Sequence, residues 1–238
     1  MKKFTSSKPI SSQIEKFKVS FQNQLEFHTL KREIFGQECY YFESDSLQPK
    51  ILDIGAHIGL SCLYFKKLYP GAQITCLEPI PSSFALLEQN IFENCLTDVI
   101  CQRLALSTSP KPLTLHIDPE SSHWYSSASI RPGAWNGQQK TQATQVPATT
   151  LKQLIIQPID LLKLDVEGAE QAILENSQSI LPKIKQLLIE FHPGENQSFA
   201  SIIDLLEKSG FDLEFRKNGQ TVTRQNAKGL IIIHAKRS

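Results

Sequence analysis

The sequence predicts an α/β domain built on a parallel, doubly wound sheet that closes with an antiparallel strand pair. Three observations predict it. Apolar strand-like runs alternate with helical stretches as β-α-β-α-β from Ile51 to Leu106, and the alternation resumes at Ile159. Two strand ends carry acidic, glycine-bearing turns about a hundred residues apart, Asp53-Ile54-Gly55-Ala56-His57-Ile58-Gly59 and Asp165-Val166-Glu167-Gly168-Ala169-Glu170. Two last strand-like runs, Phe211 to Arg216 and Leu230 to His234, form a closing hairpin unlike the end of a dehydrogenase domain. In open α/β sheets, ligands bind at the carboxyl ends of strands, where both acidic turns fall.

The elements follow in order. Residues 1 to about 16 are polar and read as loose. Val19, Phe21, Leu25 and Phe27 alternate with polar residues, which predicts a half-buried strand. An extended segment around Cys39 to Phe42 is expected to pair with it across a Gly36 turn. Residues 1–48 are thus a tail and β extension ahead of the main domain, 49–238. In that domain Ile51 to Ile54 is a strand, and Leu60 to Tyr69 is a helix stopped by Pro70-Gly71. Ile74 to Leu77 is the next strand, ending at Glu78-Pro79. Ser82 or Ser83 can cap a helix reaching Asn94, because its hydroxyl accepts from amides of the first turn. Val99 to Leu106 is a third strand.

Residues 107–150 interrupt the pattern. They are rich in Ser, Thr, Gln, Pro and Gly, hold Trp124, Tyr125 and Trp135, and contain one short strand candidate, Leu113 to Ile117. A stretch of this length is a substrate lid or a surface excursion. Aromatics in a polar loop favour the lid. Ile159 to Leu164 is then a strand, Gly168 to Asn176 a helix, and Gln186 to Phe191 a strand. Ser198 to Ser209 is a helix stopped by Gly210.

Bulk properties narrow the function. Hydrophobic residues make up 40% and charged residues 21%, ordinary for a soluble globular protein. Lys plus Arg number 25 against 24 for Asp plus Glu, so there is no global pull toward nucleic acid or anionic lipid. The cysteines, Cys39, Cys62, Cys76, Cys95 and Cys101, have neither metal-ligand nor redox spacing and read as reduced core residues. No apolar run reaches membrane-spanning length and no secretory signal is evident, which makes the cytoplasm the expected location.

Gly55 and Gly59 bracket a tight turn between strand and helix. Glycine bends there at positive φ and lets a ligand approach the backbone, while amides at the helix start favour an anionic group. Glu78 ends the next strand, about twenty residues on. A carboxylate there can accept from both ribose hydroxyls. The six-residue dinucleotide fingerprint is incomplete, since position 57 is His and no third glycine follows. The spacing of Asp53, Gly55, Gly59 and Glu78 at consecutive strand ends favours nucleoside binding over plain turn chemistry. Asp53 is expected to organise the glycine loop or cap its amides. Ala56 and His57 lie beside the expected ligand, with His57 packing or acting indirectly.

With these residues in view, the sequence resembles the FkbM family of S-adenosylmethionine-dependent methyltransferases. The matching stretches are Asp53 to Gly59, Leu77-Glu78-Pro79, Leu104-Ala105-Leu106, Leu162 to Glu170, and Ile189-Glu190-Phe191-His192. The resemblance runs from about residue 50 to the C-terminus. It implies a class I methyltransferase, Rossmann-like fold: a seven-stranded, mostly parallel sheet with an antiparallel last strand. It implies S-adenosylmethionine at the glycine turn, Glu78 on its ribose and adenine near Ala105. It also implies O-methylation, commonly of sugar or polyketide hydroxyls. Lys152 stands where the family often has Asp, so no role is assigned there.

Methyl transfer to a poor hydroxyl nucleophile benefits from a general base or a metal. Candidates sit at strand ends. Asp165 ends one strand, facing the cofactor methyl, and Glu190 and His192 end the next. His192 reads equally as a base or as a loop histidine bonded to backbone. Glu170 reads as a helix-start acid, and Glu167 is open. Asp165, Glu190 and His192 are also an oxygen–nitrogen set suited to a divalent ion such as Mg2+. The expected partner is a small-molecule or glycan hydroxyl acceptor. The alternatives are a nucleic-acid or nitrogen-directed methyltransferase, a nicotinamide-dependent oxidoreductase, and a non-catalytic cofactor-binding module. Asp165-Val166-Glu167-Gly168 stands where amino-methylating enzymes commonly carry Asn/Asp-Pro-Pro-aromatic, which disfavours the first.

Overall fold

The computed structural model describes residues 9–117, 128–129, 141–195 and 197–237. Its N-terminal part is a hairpin of β1 (Ile10–Ile14) and β2 (Phe17–Phe21), then α1 (Gln24–Lys31) and one π-helical turn, Arg32–Gly36. Two expectations change here. The alternation from Val19 to Phe27 is not one strand, because Asn23 caps a helix by accepting from the Glu26 amide at 3.1 Å. The partner of β2 is β1, from the segment expected to be loose, and not Cys39 to Phe42.

The core follows as β3 (Lys50–Ile54), α2 (Leu60–Leu68), β4 (Gln73–Leu77), α3 (Pro81–Glu93) and β5 (Val99–Gln102). Pro81 opens α3 behind an extended Ile80, and neither Ser82 nor Ser83 caps it. Proline at that position has no amide that needs a partner. The expected strand from Val99 to Leu106 is broken at Leu104, whose amide turns back to the Gln102 carbonyl at 3.0 Å. Its second half is β6 (Ala105–Leu106). The long excursion carries β7 (Leu113–Ile117), β8 (Ala128–Ser129) and β9 (Gln142–Val146) as a small sheet in the order β8-β7-β9. Trp124, Tyr125 and Trp135 lie outside the described residues. Then β10 (Ala148–Thr149) pairs with β6, and α4 (Leu151–Leu154) leads into β11 (Ile159–Leu164). The chain ends with α5 (Glu170–Asn176), β12 (Ile184–Phe191), α6 (Phe199–Lys208), β13 (Phe211–Lys217), β14 (Gln220–Val222) and β15 (Ile231–Arg237).

The main sheet has the order β14-β13-β15-β12-β11-β3-β4-β5. β15 runs antiparallel to both neighbours, as the closing hairpin implies, and the three-residue β14 adds an eighth strand at the edge. The order reverses between β3 and β11. That adjacency is the topological switch point, outside which ligands bind in open α/β sheets. Both acidic turns leave the sheet there.

Strand parity distributes the side chains. Leu52, Ile54, Leu162 and Leu164 join one core with α5 and α6, whereas Ile51, Leu161 and Leu188 join another with α2, α3 and the N-terminal hairpin. Asp53 and Lys163 fall on the second face and stand opposite each other across β3 and β11. Asp53 is 0% exposed and Lys163 2%, and their charged atoms are 3.4 Å apart. Ser61 donates to Asp53 Oδ2 at 2.6 Å, and Lys163 Nζ donates to the Gly55 carbonyl at 2.8 Å. Burial opposes the lysine's charge, but Asp53, Asp165 and Glu190 hold its pKa above the usual lysine range.

The N-terminal hairpin is locked onto α3 by buried Asn90. Its Oδ1 accepts from the Ser20 amide at 2.7 Å, and its Nδ2 donates to the Ser20 and Ile58 carbonyls at 3.0 and 2.8 Å. Phe17, Val19 and Phe21 bury in the same core as Leu63 and Leu87.

Two stability predictions follow from these buried polar groups. Asn90→Ala strands three backbone groups and should cost about 3 kcal/mol in urea unfolding. An unchanged midpoint would contradict the locking role. Lys163→Met leaves Asp53 as an uncompensated buried charge and should cost about 3–5 kcal/mol. Adding Asp53→Asn should recover part of that loss, whereas strictly additive costs in the double-mutant cycle would refute the pairing.

Candidate active site

The two turns at the switch point wall one open cleft, lined by Gly55, His57, Glu78, Ile80, Ala105, Leu115, Asp165 and Glu167 among others. At its floor, the amides of Gly55 and Ala56 both donate to the Leu77 carbonyl at 3.0 Å. Gly55 has φ +75°, and a Cβ there would overlap the Asp165 carbonyl oxygen. Glycine is therefore what allows the two turns to touch. Gly59, at φ +92°, starts α2, and a Cβ there would lie 2.8 Å from a Leu87 methyl.

Glu78 is buried at the cleft edge. Its Oε2 accepts from the His57 amide and its Oε1 from the Ile80 amide, both at 2.9 Å. These bonds orient the carboxylate and leave each oxygen with a further lone pair. Burial pushes its pKa up to about 7, against the opposing effect of the two amides. Leu104, Ala105 and Leu106, with Leu113 and Leu115 from β7, make the apolar side of the cleft. Within the 107–150 excursion, β7 is thus part of the cleft wall.

The other end of the cleft is anionic. β11 and β12 run in register, so Asp165 and Glu190, one residue beyond the Leu164–Ile189 pair, leave adjacent strand ends. His192 follows Glu190 and lies among four carboxylates. Its Nδ1 is 3.0 Å from Glu170 Oε1, and its Nε2 is 3.2 Å from Glu167, 3.8 Å from Glu190 and 4.0 Å from Asp165. Burial disfavours the imidazolium, but the Glu170 hydrogen bond and the Glu167 and Asp165 charges outweigh it and raise the pKa to about 10. Burial and the Asp165 charge push Glu190 up to about 7. Glu167 holds a left-handed φ of +54° and Gly168 follows at +103°, so α5 begins at Glu170 rather than at Gly168.

The sequence-predicted residues are therefore distributed as follows. Gly55, His57, Glu78, Ala105 and Asp165 line the cleft. Gly59 and Ala56 support it from behind. Asp53 stands beneath it, bonded to Ser61 and Lys163 and not to loop amides. His57 touches Glu26 of α1, with Nε2 3.6 Å from its carboxylate, and burial lowers its pKa. Asp165, Glu190 and His192 come together beside the cleft, with Asp165 alone of the three lining it. Glu170 is more than a helix-start acid: besides His192 it accepts from the Gly168 amide at 3.1 Å and from Gln197 at 2.6 Å.

Two contributors were not anticipated. Lys163 ties Asp53, the Gly55 carbonyl and Asp165 together. Its signal is an ionisable residue within the buried run Leu161-Leu162-Lys163-Leu164 of a parallel strand. Tyr40, from the segment before β3, donates its hydroxyl to Glu190 Oε2 at 2.8 Å. Nothing in its local sequence marks it.

Residues 53–213 match the family described as the Methyltransferase FkbM domain. Methyltransferase sdnD of Sordaria araneosa is 29% identical over 220 residues, covering 80% of this chain and 84% of that protein. The 31-O-demethyl-FK506 methyltransferase FkbM of Streptomyces tacrolimicus is 27% identical over 222 residues, covering 81% and 85%. Among solved structures, M. jannaschii TYW2 in complex with AdoMet superposes with a TM-score of 0.53 at 14% identity, covering 99% of this chain and 89% of that one. This last likeness concerns the fold. Among the described residues, no helix is long and apolar enough to cross a membrane. With the family match spanning both acidic turns, Glu78 and the carboxylate-rich strand ends, the chain belongs to the FkbM methyltransferase family.

Proposed function

We propose that this protein transfers a methyl group from S-adenosylmethionine to a hydroxyl oxygen of a small molecule or glycan. The observation that carries the reading is the polarity of the cleft. One end offers an oriented carboxylate beside apolar side chains, and the other offers carboxylates at the switch-point strand ends. Glu78 would hold the ribose hydroxyls through its remaining lone pairs, and Leu104, Ala105 and Leu106 would flank the adenine. The Gly55 turn admits the cofactor close to backbone. When bound, the cofactor supplies an electrophilic methyl on a sulfonium, released as its carbon–sulfur bond breaks and the new oxygen–carbon bond forms.

The chain's own part is to align the acceptor and dispose of its proton. Asp165 and Glu167 line the cleft and can accept that proton, passing it on to solvent. Glu190 and His192 lie directly behind them. The oxygen-directed reading draws support from the printed name of the Streptomyces relative and from the absence of an Asn/Asp-Pro-Pro-aromatic turn after β11. The balance of 25 basic against 24 acidic residues favours a small acceptor over nucleic acid.

The cofactor half of the reading is tested by calorimetry. Glu78→Ala should weaken S-adenosylmethionine binding on the order of 100-fold, since charge-assisted hydrogen bonds are lost. Wild-type affinity should fall as pH drops through about 7, where Glu78 takes up a proton. Glu78→Gln should flatten that profile. Absence of cofactor binding at pH 8 would defeat the reading altogether. The acceptor half is tested with methyl-labelled cofactor and fractionated small-molecule extracts. An alkali-stable O-methyl ether is the expected product, and label recovered on nitrogen would refute oxygen specificity.

A further inference from the structure

Beside the cleft, three side chains share one arrangement: each has one polar atom held by a partner and the other turned to a common point. Asp165 Oδ2 is 3.4 Å from the Lys163 ammonium, while its Oδ1 is buried without a hydrogen bond. Glu190 Oε2 accepts from Tyr40 at 2.8 Å, while its Oε1 faces His192. His192 Nδ1 meets the fully buried Glu170 carboxylate at 3.0 Å, while its Nε2 faces Asp165, Glu167 and Glu190. We propose that Asp165, Glu190 and His192 bind one divalent cation of the oxygen-preferring class to which Mg2+ and Mn2+ belong.

Geometry carries the proposal. One ligand atom from each of the three residues lies within 4.8 Å of the others. Ligands of an octahedral ion at about 2.1 Å lie about 3–4.2 Å apart, so small rotations of these side chains close the set. A carboxylate on the far nitrogen of a ligand imidazole is the usual way such a ring is oriented, and Glu170 supplies it. Glu170 is in turn fixed by the Gly168 amide and Gln197. Tyr40 and Lys163 serve the same end for the two carboxylates.

Charge and hydrogen bonding point the same way. Glu167 Oε2 makes no hydrogen bond although it is buried 3.2 Å from His192 Nε2, and Asp165 Oδ1 is likewise unbonded. Buried carboxyl oxygens without a hydrogen bond are costly, and a bound cation would satisfy both. Lys163 is already engaged by Asp53 and by the Ile54 and Gly55 carbonyls. The donors are two carboxylates and one imidazole with no thiolate, which suits Mg2+ or Mn2+ better than a soft metal. Because Asp165 also lines the cleft, the ion would lie where it can polarise the acceptor hydroxyl. That use rests on the methyl-transfer reading, whereas the site itself does not.

The test uses the full chain, freed of metal by a chelator and titrated with MnCl2. Electron paramagnetic resonance counts bound Mn2+ and detects nitrogen coupling from a ligand imidazole. One Mn2+ per chain is expected, with nitrogen coupling that disappears in His192→Ala. Glu170→Gln, which touches no ion, should weaken Mn2+ binding about 10–100-fold. Glu190→Gln should also weaken it, and it remains informative if the His192 variant does not fold. Wild-type protein that binds no Mn2+, with or without S-adenosylhomocysteine, would overturn the proposal. So would bound Mn2+ lacking nitrogen coupling. Intact Mn2+ binding without S-adenosylmethionine binding by calorimetry would instead uphold the site and overturn the methyl-transfer reading.

Discussion

The buried ammonium of Lys163 is the contact on which the arrangement of the switch point depends. It sits opposite Asp53 across the two central parallel strands, where near-continuous apolar side chains would otherwise be expected. A charge in such a position persists only if its partners are already in place, and here they are a carboxylate, two backbone carbonyls and a second carboxylate. Each partner belongs to one of the two turns or to the strand leading into it. The pair therefore fixes where the glycine turn and the Asp165 turn meet. Gly55 completes the fit, because any side chain at that position would displace the Asp165 carbonyl.

Parity extends this constraint outward. Side chains two residues apart on a strand share a face, so Lys163 and Asp165 align on β11 and its end, and Leu188 and Glu190 align on β12. The polar row Asp53, Lys163, Asp165 and Glu190 thus lies on the face covered by α2 and the N-terminal segment. That placement explains why Tyr40 reaches Glu190 and why its own hydroxyl is held above the usual tyrosine range by burial. On the other side of the turn, Glu170 binds His192 and Gln197, which ties the start of α5 to the loop after β12.

Much of this was legible in the sequence, for reasons of local chemistry. Period and glycine placement identified β3, α2, β4, α3, β11, α5, β12, α6, β13 and β15 but not β9, α4 or β14, and strand-end position singled out Glu78, Asp165, Glu190 and His192. The failures have equally local causes. Asn23 switched an alternating pattern into a helix, because one capping hydrogen bond outweighed period-2 hydrophobicity. A lysine amid Leu161, Leu162 and Leu164 signals a buried charge, but only the register of β3 against β11 reveals its partner. The role of Glu170 was underestimated because its helix-start position already sufficed to explain it. Tyr40 could not have been identified from sequence, since its contact depends on tertiary closure.

The N-terminal hairpin also bears on how the chain must fold as it is made. Ser20 waits for Asn90, seventy residues later, and Tyr40 for Glu190, one hundred and fifty residues later. β12 must be complete before the second contact exists, and β15 then wedges antiparallel between β12 and β13. Contacts of such sequence separation form late and slowly. An emerging chain therefore holds the apolar hairpin face of Phe17, Val19 and Phe21 uncovered until α3 arrives. The acidic end of the cleft is assembled only when most of the chain is present, so a partly synthesised or truncated copy has the Gly55 and Glu78 wall without the carboxylates that face it.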